Sequence, residues 1–167
     1  MVSIRRLLRH LLFMPWRVRA AFSKTLLKDI ETAIAQAERS HRAELRFAIE
    51  GSMPLQQVWR GISARRRALE GYAQLRVWDT EENNGILIYV QLAERAIEII
   101  ADRGIAARVE PDEWRAIARQ MEAAYHAGDF RGGSLAGIAA VSALLARHFP
   151  PGPANPDELP NRPVIVA

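Results

Sequence analysis

Apolar residues fall at helical spacing from Leu26 to Ala37, alternate with polar ones from Glu44 to Glu50, and run together from Ile86 to Val90. That succession predicts a helix, a strand and a fully buried strand. Ser23 caps the helix, whose stripe is Leu26, Leu27, Ile30, Ala33, Ile34 and Ala37. In the first strand Leu45, Phe47 and Ile49 face one layer, and Glu44, Arg46, Ala48 and Glu50 the other. Gly51 to Pro54 is a break, and residues 56–60 begin a helical connection that continues from Ser63 to Val77. Leu69, Tyr72 and Leu75 are expected on its inner face and Arg65, Arg66 and Arg67 on its outer face. Ala93-Glu94-Arg95 turns the chain into another strand, Ala96 to Ala101. Pro111 opens a further helix with the stripe Trp114, Ile117, Met121, Ala124 and Tyr125, and Gly128 stops it. Asp129 caps the last helix, with Leu135, Ile138, Ser142, Leu145 and Phe149 turned inward and its small residues packed on the sheet.

A strand, a helical connection and a second buried strand make a βαβ unit with parallel strands, to which the hairpin adds an antiparallel neighbour. The expected fold is an α/β three-layer αβα sandwich: a small mixed sheet flanked by helices. Residues 150–167 hold six of the nine prolines and no periodicity, which predicts a disordered or loosely docked tail. The chain thus divides into a leader, 1–22, a body, 23–149, and that tail.

Charge separates the leader from the body. Residues 1–28 carry seven Lys and Arg and no acid, so the net charge of +4 arises at the amino-terminal end. There Ile4, Leu7, Leu8, Leu11 and Leu12 share one helical face, Arg5, Arg6, Arg9 and His10 the other, and Pro15 ends the pattern before Trp16. Arg9 and His10 interrupt the apolar run and no small-residue cleavage site follows, which argues against a secretory signal. The segment is too short and too charged to span a bilayer. The expectation is a helix lying on an anionic membrane surface through Arg5, Arg6, Arg9, Phe13 and Trp16, in a cytoplasmic protein held peripherally at the inner membrane. Docking on its own domain and an organelle transit peptide are the alternatives.

Candidate chemistry concentrates in the loop Asp79-Thr80-Glu81-Glu82-Asn83-Asn84-Gly85. Hairpin pairing places this loop beside Asp102-Arg103, and a parallel first strand brings His41 and Glu44 to the same end of the sheet. Asp79, Glu81, Glu82, Asn83, Asn84 and Asp102 supply the oxygen ligands that a hard divalent cation requires. Turn chemistry accounts for the same residues, since Asn84-Gly85 suits positive φ and acids solvate a loop. The absence of cysteine excludes disulfides and thiolate metal sites. Gly128, Gly132, Gly133 and Gly137 lack a following Gly-Lys-Ser/Thr, so no phosphate-cradling loop is present. His10, His41, His126 and His148 share no ligand spacing. The Arg65 to Arg67 run on an acidic body reads as a solvated face, and no nucleic-acid partner is expected.

Glu44-Leu45-Arg46-Phe47-Ala48-Ile49, Trp78 through Tyr89, Ala101-Asp102-Arg103-Gly104-Ile105 and Gly128-Asp129-Phe130 together resemble the bacterial TPM domain over residues 24–149. That family includes thylakoid-lumen proteins linked to photosystem repair and bacterial proteins tied to membranes. The resemblance implies an αβα sandwich with a divalent cation at the sheet rim, calcium or otherwise magnesium. Here the ligand set would be Asp79, Glu82, Asn83, Asn84 and Asp102, with Glu44, Glu81, Gly85, Arg103 and Gly104 beside it. Asn84-Gly85 matches the family's Asn-Gly before the central strand, and Gly104 its glycine after the next. Asp102 stands where many members carry threonine or serine. The function expected is a cation-binding interaction domain with a protein partner that the sequence leaves unnamed. A metal-assisted acid phosphatase, an activity attributed to some relatives, is the alternative, with Asp79 or Glu82 as ligand or base.

Overall fold

A computed structural model of the protein describes residues 3–153 and 156–166. Met1 and Val2 of the leader, and Ala154, Asn155 and Ala167 of the tail, lie outside the described residues. Two short helices, α1 (Ile4–Leu11) and α2 (Trp16–Ala21), precede α3 (Lys24–Ala37). Ser23 starts α3 by accepting the amide of Leu26 at 3.2 Å, and Leu26, Ile30 and Ile34 are its buried residues. A 3-10 turn, Glu38–Ser40, leads into β1 (Glu44–Glu50).

Helices α4 (Leu55–Trp59) and α5 (Ala64–Gln74) connect β1 to β2 (Gly85–Gln91), and a tight turn joins β2 to β3 (Ala96–Ala101). β1 and β2 run parallel with Phe47 opposite Ile88, while β2 and β3 run antiparallel with Ile88 opposite Ile99. The short α6 (Arg103–Ala106) is followed by α7 (Pro111–His126) and α8 (Phe130–His148). Leu45, Phe47, Ile49, Ile86, Ile88 and Val90 bury one sheet face against residues of α3, α7 and α8. Ala48, Leu87, Tyr89 and Ile100 bury the other against Ala68 and Tyr72 of α5 and Leu75 just past its end. The molecule is a three-layer α/β sandwich around a mixed sheet.

The tail departs from expectation. Its end forms β4 (Val164–Val166), which pairs in parallel with β1 and makes the strand order β3-β2-β1-β4. Leu159 is buried under the sheet, and Arg46 donates to the carbonyls of Pro160 and Arg162. Prolines restrict φ and remove donors, yet an edge strand needs only one bonded side, so a proline-rich segment can serve there.

The end of the leader packs on the body, since Val18 and Phe22 belong to the core. The Phe22 ring lies 6.3 Å from Phe47, 6.0 Å from Tyr125 and 5.8 Å from Phe130, centroid to centroid. Tyr72 and Leu75 pack inward and Arg65 and Arg66 stand outside as expected, but two positions of this helical connection differ. Arg67 is buried and Leu69 stands exposed, since the carboxylate of Glu50 at the end of β1 takes Arg67 as its partner. The small residues of α8 permit close packing on α7 rather than on the sheet, with Gly133 and Gly137 facing Tyr125 and Met121.

Candidate cation site at the sheet rim

The loop before β2 is wound by its own polar groups. Thr80 accepts the amide of Asn84 on its hydroxyl at 3.1 Å and that of Asn83 on its carbonyl at 3.3 Å. Positive φ falls on Asn83, at 52°, a residue type that tolerates the left-handed region. Gly85 is required for a different reason from the one its sequence suggests: a Cβ there would meet the Val77 carbonyl oxygen at 1.9 Å.

Backbone pairing then ties the loop to the far end of β3. Asp102 N–H donates to the Gly85 carbonyl at 2.9 Å, and Gly104 N–H to that of Asn83 at 3.1 Å. Glu44 N–H donates to the Asn84 carbonyl at 3.1 Å, which brings in the start of β1. Asn84, Gly85, Asp102, Gly104 and Glu44 are therefore neighbours, as parallel and antiparallel pairing at one rim requires.

Two buried oxygens in this group make no close hydrogen bond. Asp102 accepts the Arg103 amide on Oδ1 at 2.6 Å. Among the described residues, the one side chain that approaches its carboxylate as a donor is the Tyr72 phenol, too loosely placed to give Oδ2 a close hydrogen bond. The Asn84 side-chain amide donates to the Arg42 carbonyl, while its Oδ1 has no partner. Their residues are 6% and 3% exposed, so water reaches neither readily. Tyr72 of α5 approaches Asp102, and burial together with that carboxylate raises its phenol above the ordinary value.

The remaining loop acids point elsewhere. Asp79 pairs with Arg76 at 2.8 Å and Glu82 with Arg42 at 3.3 Å, both at the surface. Glu81, Asn83 and Arg103 are exposed, and the Glu81 amide is taken by the Glu158 carboxylate at 2.9 Å. Glu44 faces the carboxy-terminal segment, where its Oε2 accepts the amides of Glu158 and Leu159 at 3.1 and 3.0 Å.

Among the described residues, the three carboxylates that come within 4.8 Å of one another are Glu38, Glu44 and Asp157. Glu38 accepts the Leu45 amide at 2.9 Å. Burial, reinforced by Glu44 and Asp157, pushes it up to about 8 despite that bond. Burial likewise raises Glu44, and it lowers the adjacent His41 to about 4, which keeps the imidazole neutral. Sequence reasoning named Glu44 but not its two companions. Glu38 follows the last apolar position of the α3 stripe and Asp157 lies in the proline-rich tail; the Asp157-Glu158 pair among prolines was the available signal.

A family model described as TPM domain matches residues 19–144. Among solved structures, the chain is similar to the BA42 protein of the psychrophilic bacterium Bizionia argentinensis, determined by NMR. The two share 28% identity with a TM-score of 0.76 over 86% of this chain and 94% of that one. No protein with a curated description matches the chain.

Proposed function

The chain belongs to the TPM domain family, and we propose that it works as an interaction domain whose sheet rim takes a divalent cation, calcium or magnesium. The observation that carries this reading is the buried Asn84 Oδ1, which has no hydrogen-bond partner, beside the buried Asp102 carboxylate, whose Oδ2 is approached only by the Tyr72 phenol, in residues that backbone bonds hold together at the rim. An orphaned buried acceptor costs about 1–3 kcal/mol, and a cation would relieve Asn84 Oδ1 while balancing the adjacent carboxylate. The oxygen character of both donors suits a hard ion. Asp79, Glu82 and Asn83 would complete the set by leaving surface positions, and the weakness of exposed ion pairs makes that exchange inexpensive. Holding the loop would then give a partner protein a fixed surface to recognise.

The test is a titration of the full chain with calcium and then magnesium, followed by amide resonances. Saturable shifts centred on Asn84, Gly85, Asp102 and Gly104 are expected. Shifts confined to Glu38, Glu44 and Asp157, or none at all, would remove the rim reading.

A further inference from the structure

Helix α1 lies on the body by its polar side. Arg6 pairs with Glu94 and donates to the Ile62 carbonyl. His10 is 3% exposed; its Nδ1 accepts the Met53 amide at 3.1 Å, so Nε2 carries the proton and reaches Glu94 Oε1 at 2.9 Å. Just after the helix, Phe13 packs onto the core beside Gly51.

With about 3.6 residues per turn, fixing Arg6 and His10 inward turns Ile4, Leu8 and Leu11 outward. Those residues and the following Leu12 are 46–72% exposed. This inverts the usual arrangement, in which an amphipathic helix buries its apolar stripe against its own domain. Past the bend, Met14 and Trp16 are more than half exposed, at 52% and 63%. Helix α4, which packs beside α1, adds exposed Leu55 and Trp59.

Charge selects the occupant. Arg5, Arg9, Arg17 and Arg19 are all exposed in the same stretch, and no acid occurs before Asp29. An exposed row of leucines bordered by arginines suits a lipid surface: the apolar chains enter the headgroup boundary while long cationic side chains reach phosphates. No helix among the described residues is long and apolar enough to cross a membrane. We infer that α1, extended by Trp16, is a preformed docking ridge for an anionic lipid bilayer, held at a fixed orientation by the Arg6 and His10 contacts to Glu94.

The inference is independent of cation binding, so it is tested on the full chain in the presence of a chelator. Wild type should co-sediment at low salt with vesicles of equal parts phosphatidylglycerol and phosphatidylcholine, and not with pure phosphatidylcholine. Leu8→Asp with Leu11→Asp should weaken that binding roughly tenfold or more. Arg5→Glu with Arg9→Glu should do the same, and added salt should release the wild type. The substituted positions are exposed, so the circular dichroism melt should be unchanged. Absence of wild-type binding, or equal binding by the leucine variant, would overturn the inference. So would lipid-free dimerisation of the wild type that the leucine variant abolishes, since the ridge would then be a contact between copies of the chain.

Discussion

Arg67 of α5 grips the carboxylate of Glu50 at the end of β1, with Nη2 2.7 Å from Oε1 and Nε 3.0 Å from both oxygens. The Tyr89 hydroxyl, on the neighbouring strand, donates to the same carboxylate. All three residues are buried, so the group locks the helix onto the sheet at the end opposite the rim.

Removing one partner of such a pair leaves the other charge buried and unpaired. Arg67→Met should therefore cost about 3–5 kcal/mol in urea unfolding. Replacing all three, as Glu50→Met, Arg67→Met and Tyr89→Phe, should recover most of that loss. A cost below about 1 kcal/mol for Arg67→Met would mean that water already screens the pair.

The middle of β2 offers a simpler test of packing. Ile88 is wholly buried between β1 and β3 and faces the α3, α7 and α8 layer. Ile88→Ala should cost about 2–5 kcal/mol, read by the same denaturation. A loss under about 1 kcal/mol would contradict a central, doubly covered strand.

What was legible in the sequence is what periodicity encodes. Alternation at Leu45, Phe47 and Ile49 and the unbroken run Ile86 to Val90 reported a sheet covered on both faces, and both strands are buried throughout. Periodicity says nothing about which polar side chain is drawn inward by a distant partner. So Arg67 is drawn inward and Leu69 left exposed, because Glu50, seventeen residues earlier, takes Arg67 as its partner. Nor does it register a strand of three residues, and β4 was invisible among prolines. At the rim, pairing brought Asn84 to Asp102 as hairpin geometry requires, whereas the outward directions of Asp79 and Glu82 depend on Arg76 and Arg42, which no spacing announced.

The carboxy-terminal segment is structural on this account. Ending the chain after Pro153 would strip Leu159 from the core, open the outer edge of β1 and deprive Glu44 of two amide donors. The melting temperature should fall by about 5–10 °C. An exposed edge strand should also promote concentration-dependent association, visible in light scattering. An unchanged melt would show that the segment merely rests on the surface.

Glu38 makes stability depend on pH in an unusual direction for an acid. Its folded value of about 8 lies above the ordinary 4.5, so the folded state holds a proton that the unfolded chain has lost. The associated stability is complete below 4.5 and is lost as pH rises through about 8. Buried His41 works oppositely, with its contribution present above 6.5 and lost as pH falls through about 4. Glu38→Gln isolates the first effect. Relative to wild type, the variant should gain stability steadily from pH 5 to pH 8, as measured by urea midpoints. A constant difference across that range would mean that burial, Glu44 and Asp157 do not hold the proton on Glu38.

Calcium separates the two acidic neighbourhoods at this end of the sheet. If Asp102 Oδ2 and Asn84 Oδ1 take the ion, saturating calcium should stabilise the wild type, by about 2.7 kcal/mol at a hundredfold excess over the dissociation constant. Asp102→Asn keeps the volume and the Oδ1 acceptor but removes the charge, so most of that shift should vanish. Without metal the variant should be as stable as wild type or more so, because a buried carboxylate has been replaced by a neutral group of the same shape. Glu38→Gln should keep the full calcium shift. The reverse pattern, with Glu38→Gln insensitive and Asp102→Asn responsive, would move the site to the group that clasps the carboxy-terminal segment. Calcium would then act by drawing Glu44 and Asp157 together beside β1, and its effect should disappear when the chain is cut after Pro153.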